Sequence, residues 1–173
     1  IYDIKNNVTI EINGKSYTNK SVNGTVVFHI PNITYGNKTL VVIYGGDNKY
    51  KYNSTTENFT VYKRDSFVKV NATDGVVDGE VTINVTVPAN AIGYVVVNVN
   101  GTNYTINLTA GQDRVIITVT EAGTYNVTAT YIGDDQYLSS KANTTFTVDK
   151  LDSFINVTAA NEGIIPNGTD VRS

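Results

Sequence analysis

Apolar and polar residues alternate through most of the chain. Val81, Ile83, Val85 and Val87 stand two apart with Thr82, Asn84 and Thr86 between them, the period of a strand that buries one face. Further runs are Phe67, Val68, Val70 and Ala72; Val95, Val97 and Val99; Tyr104, Ile106 and Leu108; and Val115, Ile117 and Val119. Tyr125, Val127, Ala129 and Tyr131, and then Ala142, Thr144, Phe146 and Val148, complete the set. Asn100-Gly101 between two of these runs is the strongest short hairpin signal in the chain. Seven short strands in about 87 residues, with turn signals roughly every ten, predict an all-β chain with an Ig-like sandwich.

The pattern repeats. Shifted by 87 residues, Val8 meets Val95, Asn13-Gly14 meets Asn100-Gly101 and Tyr17-Thr18 meets Tyr104-Thr105. Phe59-Thr60-Val61 meets Phe146-Thr147-Val148, and Asp65-Ser66-Phe67 meets Asp152-Ser153-Phe154. Turns, aromatics and glycines held in step over such a length mark a tandem array. Residues 1–63 are expected to be a partial repeat lacking its first strands, 64–150 a complete repeat, and 151–173 the opening strands of a further one, with a looser register after Ala159. Two readings are open: a window on a longer repetitive polypeptide, or a subunit completed by strands of its neighbours.

Composition narrows the function. The chain has no Cys, Met or Trp, a single His and a formal net charge of −3. Without Cys there is no disulfide staple and no thiolate metal site. No basic stripe is visible that would neutralise phosphates, so nucleic acid is not an expected partner. No apolar run reaches the 18 residues of a membrane-spanning helix, so no membrane insertion is expected in this segment. Thr, Val and Tyr suit a pleated, half-buried surface.

The pattern N-G-x-x-Y, then A-G-T-Y-x-V-x-A-x-Y-x-G-D-x-x-Y, then F-T-V-x-K, resembles the Ig-like repeats of archaeal and bacterial cell-surface adhesin-like proteins, those of methanogens especially. The resemblance covers the whole of 64–150, and the flanking copies follow it with weaker glycine and tyrosine spacing. Tyr35-Gly36-Asn37-Lys38 departs from it. It implies a stalk, wall or adhesion role at the cell surface, outside the cell, and no enzyme.

One turn is spelled twice. Tyr44, Gly46, Asp47 and Tyr50 recur as Tyr131, Gly133, Asp134 and Tyr137. Tyr131 is expected to end one strand and Tyr137 to begin the next, with the rings over the ends of the turn. Asp suits such a turn because its carboxylate can accept from nearby backbone amides, and Gly because it tolerates positive φ. A calcium site from Asp134, Asp135 and Asp113 is the competing reading. Calcium takes six to eight oxygens, and the first copy keeps only Asp47 with Asn48, which argues against a metal.

The strongest functional signal is the sequon N-x-[S/T]. It occurs at Asn7, Asn19, Asn23, Asn32, Asn37, Asn53, Asn58, Asn71, Asn84, Asn100, Asn103, Asn107, Asn126, Asn143, Asn156 and Asn167. With 22 Asn and 32 Ser plus Thr in 173 residues, independent placement gives about four such triplets, against sixteen found. Polar-apolar-polar alternation supplies part of the excess, as in Asn84-Val85-Thr86. Yet Asn is a poor strand former that Thr or Lys could replace, so covalent N-glycans are expected on several of these sites and no other cofactor on the chain. Asn71, Asn84, Asn107, Asn126, Asn143 and Asn156 are out of phase with their apolar neighbours and are expected to face solvent.

Catalytic sets are missing. His29 lies between Phe28 and Ile30 on an outward phase, and its counterpart 87 residues on is Ile116, so no repeated His site exists. A Lys69–Asn143 cross-link would need an apolar core, and both residues are in outward phase. The expected role is therefore a non-catalytic, glycosylated stalk or fibre. Its partners are neighbouring Ig-like repeats, in the same chain or in adjacent subunits. The alternatives are a filament subunit assembled by strand donation and a module that binds host or cell-surface glycans or a protein.

Overall fold

The computed structural model describes residues 6–159 and the short strand at 171–172. Every regular element among them is a strand. The first copy supplies β1 (Asn7–Ile12), β2 (Lys15–Lys20), β3 (Gly36–Tyr44) and β4 (Asn53–Val61). The second supplies β5 (Lys69–Ala72), β6 (Gly75–Val76), β7 (Glu80–Thr86), β8 (Tyr94–Val99), β9 (Thr102–Asn107), β10 (Gln112–Thr118), β11 (Gly123–Tyr131) and β12 (Ser140–Asp149). β13 (Thr158–Ala159) and β14 (Val171–Arg172) follow.

The second copy is a two-sheet sandwich. One sheet has the order β10-β7-β5, the other β6-β12-β11-β8-β9, an Ig-like arrangement in which the opening strand lies on the three-stranded sheet. The inward residues of the alternating runs meet between the sheets. Val81, Ile83 and Val85 from one side and Val95, Val97, Val127, Ala129 and Phe146 from the other are at most 1% exposed. Tyr125 stacks on Phe146 with ring centroids 5.1 Å apart. With no disulfide to help, this apolar contact is the main source of stability.

Seven strands are expected here and eight are present. The extra one, β6, is only two residues long and pairs in parallel with the end of β12, Gly75 opposite Val148 and Val76 opposite Asp149. The chain leaves one sheet after β5 and joins the other. Asp74 fixes the crossing by accepting the Thr147 N–H on Oδ1 at 2.7 Å. Two residues carry no readable alternation, so this change of sheet has no local sequence signal.

The first copy reproduces one sheet of the second copy strand for strand. β1, β2 and β3 match β8, β9 and β11 at a shift of 87, and they form with β4 a single sheet of order β2-β1-β3-β4. The bridge Val22–Thr25 is likewise the image of Thr109–Gln112. The images then diverge: 112–118 form β10 on β7, whereas 26–30 belong to no sheet.

In the third copy β13 pairs with β14, Ala159 opposite Val171 and Thr158 opposite Arg172. In the second copy Ala72 faces Ile83 and Asn71 faces Asn84. The shift is 87 for Ala159 (159 − 72) and 88 for Val171 (171 − 83), so the looser register after Ala159 is one extra residue between the two strands.

Candidate functional site

The repeated Gly-Asp turn is a closed hydrogen-bond cluster. In the second copy Asp134 Oδ1 accepts the N–H groups of Gln136 at 2.7 Å and Tyr137 at 2.8 Å. Its Oδ2 accepts the Ile92 N–H at 2.9 Å and the Tyr131 hydroxyl at 2.9 Å. The same hydroxyl lies 3.0 Å from the Ile92 carbonyl, so its one proton is shared between two acceptors. Tyr137 donates its hydroxyl to Asn90 Oδ1 at 2.6 Å. Gly133 has φ +83, and a Cβ there would stand 2.7 Å from the Tyr137 carbonyl oxygen, so the turn admits only glycine.

Burial sets the electrostatics. It pushes the Asp134 carboxyl upward, but the N–H groups of Ile92, Gln136 and Tyr137 and the Tyr131 hydroxyl outweigh it and hold the pKa below the usual carboxylate value. Burial, followed by the bond to Asp134, raises the Tyr131 phenol. In the first copy the Tyr44 hydroxyl donates to Asp47 Oδ2, while Lys49 and Tyr50 donate their N–H groups to Oδ1 at 2.7 Å. The Tyr44 hydroxyl and these two amides keep the Asp47 carboxyl low. Asn6 Nδ2 adds a fourth donor at 3.1 Å. Gly46 has φ +86.

One expectation is corrected. Tyr131 does end β11, but Tyr137 does not begin β12, which starts at Ser140. Tyr137 instead makes a parallel bridge with Arg64. The Arg64 N–H donates to the Gln136 carbonyl at 2.7 Å, and the Leu138 N–H donates to the Arg64 carbonyl at 2.9 Å. Ser66 Oγ reaches the Leu138 carbonyl at 2.6 Å. The turn therefore anchors the entry of the chain into its own sandwich, and only Tyr62 and Lys63 stand between the end of β4 and this anchor. Lys63 Nζ lies 4.4 Å from the centre of the Tyr35 ring, which ties the linker back to the first copy as well. Asn90, Ile92 and Arg64 escape sequence reading because they lie 39 residues or more from the turn they complete and carry no motif.

Asp113 and Asp135 do not join Asp134. Asp113 sits on β10 with Oδ1 on the Arg114 N–H at 2.8 Å. Among the described residues no three His, Cys, Asp or Glu side chains gather at one point. His29 is exposed, as is Lys69 beside the Phe67 ring.

Fifteen of the sequon asparagines lie among the described residues, and Asn167 lies outside them. Fourteen are exposed and Asn84 is half-buried. Asn23, Asn32 and Asn100 occupy positive-φ turn positions, which Asn tolerates better than most residues. Many others sit in cross-strand pairs. Thr128 donates to Asn143 Oδ1 at 2.8 Å, Thr39 to Asn58 Oδ1 at 3.0 Å and Thr60 to Asn37 Oδ1 at 2.9 Å. In each the carbonyl oxygen is the partner used, which leaves the amide nitrogen, the atom a glycan would be attached to, without a bond in that pair. Asn84 is different, because its Nδ2 donates to Asn71 Oδ1 at 3.1 Å.

No family model matches the chain, and no curated protein does. Among solved structures it is similar to the fibronectin(III)-like modules of Clostridium thermocellum CbhA, at 14% identity and a TM-score of 0.43, over 87% of this chain and 82% of that one. No helix among the described residues is long and apolar enough to cross a membrane.

Proposed function

We propose that the chain is a run of non-catalytic Ig-like repeats from an extracellular, N-glycosylated stalk or fibre at a cell surface, of the adhesin-like type. The observation that carries this reading is the junction. Both backbone groups of Arg64 are bonded into the turn Gln136–Leu138 of the second copy, so the connection from the first copy is two residues long and cannot act as a loose hinge. The longest strands of the complete copy, β11 and β12 of nine and ten residues, make each bead at least roughly 30 Å long. Stiffly joined beads in series make a rod. The Asn and Thr rows on the outer faces suit a hydrophilic glycan coat, which shields sheet edges from pairing with other chains.

The mass of the native polypeptide, measured under denaturing conditions after deglycosylation, tests the reading. Several hundred kilodaltons supports a long stalk. A mass near that of this chain, from material that was polymeric before denaturation, would replace it by the filament of strand-donating subunits. Native glycopeptide mapping that finds every described sequon bare would remove the glycan coat.

A further inference from the structure

The two overlapping copies have the same strands but unequal cover. Phe146 is 1% exposed, and Phe59 at the same place on β4 is 38% exposed. Val127, Ala129 and Val148 are at most 2% exposed, whereas their images Leu40, Val42 and Val61 are only half-buried. What covers the second copy is visible. β5 and β7 lie over it with Val68, Val81, Ile83 and Val85, each no more than 7% exposed, and β7 bonds β10 along its whole length from Gln112–Thr86 to Thr118–Glu80.

The first copy keeps the receiving edge for such a strand. Residues 26–30 belong to no sheet, yet Val26, Phe28 and Ile30 remain half-buried while Val27 and His29 are exposed. The segment therefore holds strand phase with no described strand beside it; the Val27 carbonyl accepts only the Asn19 side-chain amide, at 2.9 Å, where a central strand would be laddered to a neighbour. Elsewhere in the molecule the counterpart of the opening strand is equally bare. Phe154 and Ile155 are 87% and 85% exposed, where the matching Phe67 and Val68 are 45% and 7% exposed.

We propose that the inner face of β1, β3 and β4 is a docking surface for one occupant: an antiparallel strand pair of the kind formed by β5 and β7, carried on a segment of the sequence type of residues 64–87. Its register follows from the second copy. The residue equivalent to Thr86 pairs with Thr25, that of Ile83 with Phe28 and that of Val81 with Ile30. The last pair falls on Pro31, which has no N–H to give, so the ladder ends there. The occupant places its Val81, Ile83 and Val85 equivalents over Leu40, Val42 and Phe59 and turns 26–30 into a central strand. This surface does not depend on the stalk reading, because it rests on the exposure of the first copy and the strand register of the second.

The test adds a synthetic peptide of residues 64–87 to the full chain and follows hydrogen exchange by segment. Saturable one-to-one binding is expected, with exchange slowed at least tenfold over residues 25–31 and 55–61 and unchanged over 123–131. Phe59→Lys and, separately, Leu40→Asp abolish that protection while 123–131 stay protected, which shows that the second copy is still folded. A second form removes the cost of bimolecular association: the sequence of 64–87 is joined directly ahead of Ile1, the position equivalent to Pro88. Absence of protection over 25–31 in both forms overturns the proposal. So does equal protection from a peptide carrying Thr at positions 81, 83 and 85, or concentration-dependent protection of 25–31 by the chain alone, which would make a second copy the occupant.

Discussion

The Tyr131 hydroxyl lies 2.9 Å from Asp134 Oδ2, and this pair closes a cluster in which one carboxylate serves four donors. Tyr131 is 0% exposed, so its hydroxyl has no water to turn to. Asp134→Ala therefore leaves the N–H groups of Ile92, Gln136 and Tyr137 without their acceptor and the buried Tyr131 hydroxyl with the Ile92 carbonyl alone. A loss of about 2 kcal/mol in the stability of the second copy is expected, read as a lower urea midpoint. Asp134→Asn keeps part of the cluster and loses less.

The same carboxylate makes stability depend on pH. Its folded pKa is held below the unfolded value, so it contributes stability above the ordinary carboxylate pKa of about 3.9, and that contribution disappears as pH falls through the folded value. Thermal midpoints taken from pH 6 to pH 2 drop for the native chain. In Asp134→Asn this part of the slope is absent.

Gly133→Ala combines φ +83 with a Cβ 2.7 Å from the Tyr137 carbonyl oxygen, so both conformation and space oppose it. Gly14 also has positive φ, at +72, but faces open space. Gly133→Ala is expected to cost about 2 kcal/mol or more and Gly14→Ala about 1 kcal/mol. Denaturant unfolding of the two variants in parallel checks the ranking.

Equivalent phenylalanines differ in what they hold. Phe146→Ala opens a cavity in a sealed core and should cost about 3 to 5 kcal/mol. Phe59→Ala acts on a residue 38% exposed and should cost about 1 kcal/mol. Segment-resolved hydrogen exchange separates the two copies. Equal losses would contradict the unequal cover.

Glycan occupancy should follow amide geometry. Asn143 and Asn58 present an amide nitrogen free of the Thr bond on their carbonyl side, and they are expected to be occupied in native material. Asn84, half-buried with Nδ2 given to Asn71, is expected to be the bare member of that pair. Glycopeptide mass spectrometry of the native protein reads both.

Much of this was legible in the residues themselves. Strand positions in 64–150 follow from alternation, and the Asn100-Gly101 and Gly133-Asp134 turns follow from what Gly, Asn and Asp do to a backbone. The role of Asp134 as acceptor for its own turn is of the same local kind. Illegible were its more distant donor Ile92 and the Arg64–Tyr137 bridge, because no periodicity within a segment reports contacts between segments far apart in the chain.

The clearest boundary runs between residues 25–31 and 112–118. Both stretches carry alternating apolar residues after the same tight turn, so sequence alone determined that each is built to be a strand with one buried face. Only tertiary structure decided that 112–118 becomes one and 26–30 does not. A strand is stable through the hydrogen bonds and side chains of its neighbours; β7 lies beside β10, and among the described residues no strand lies beside 26–30.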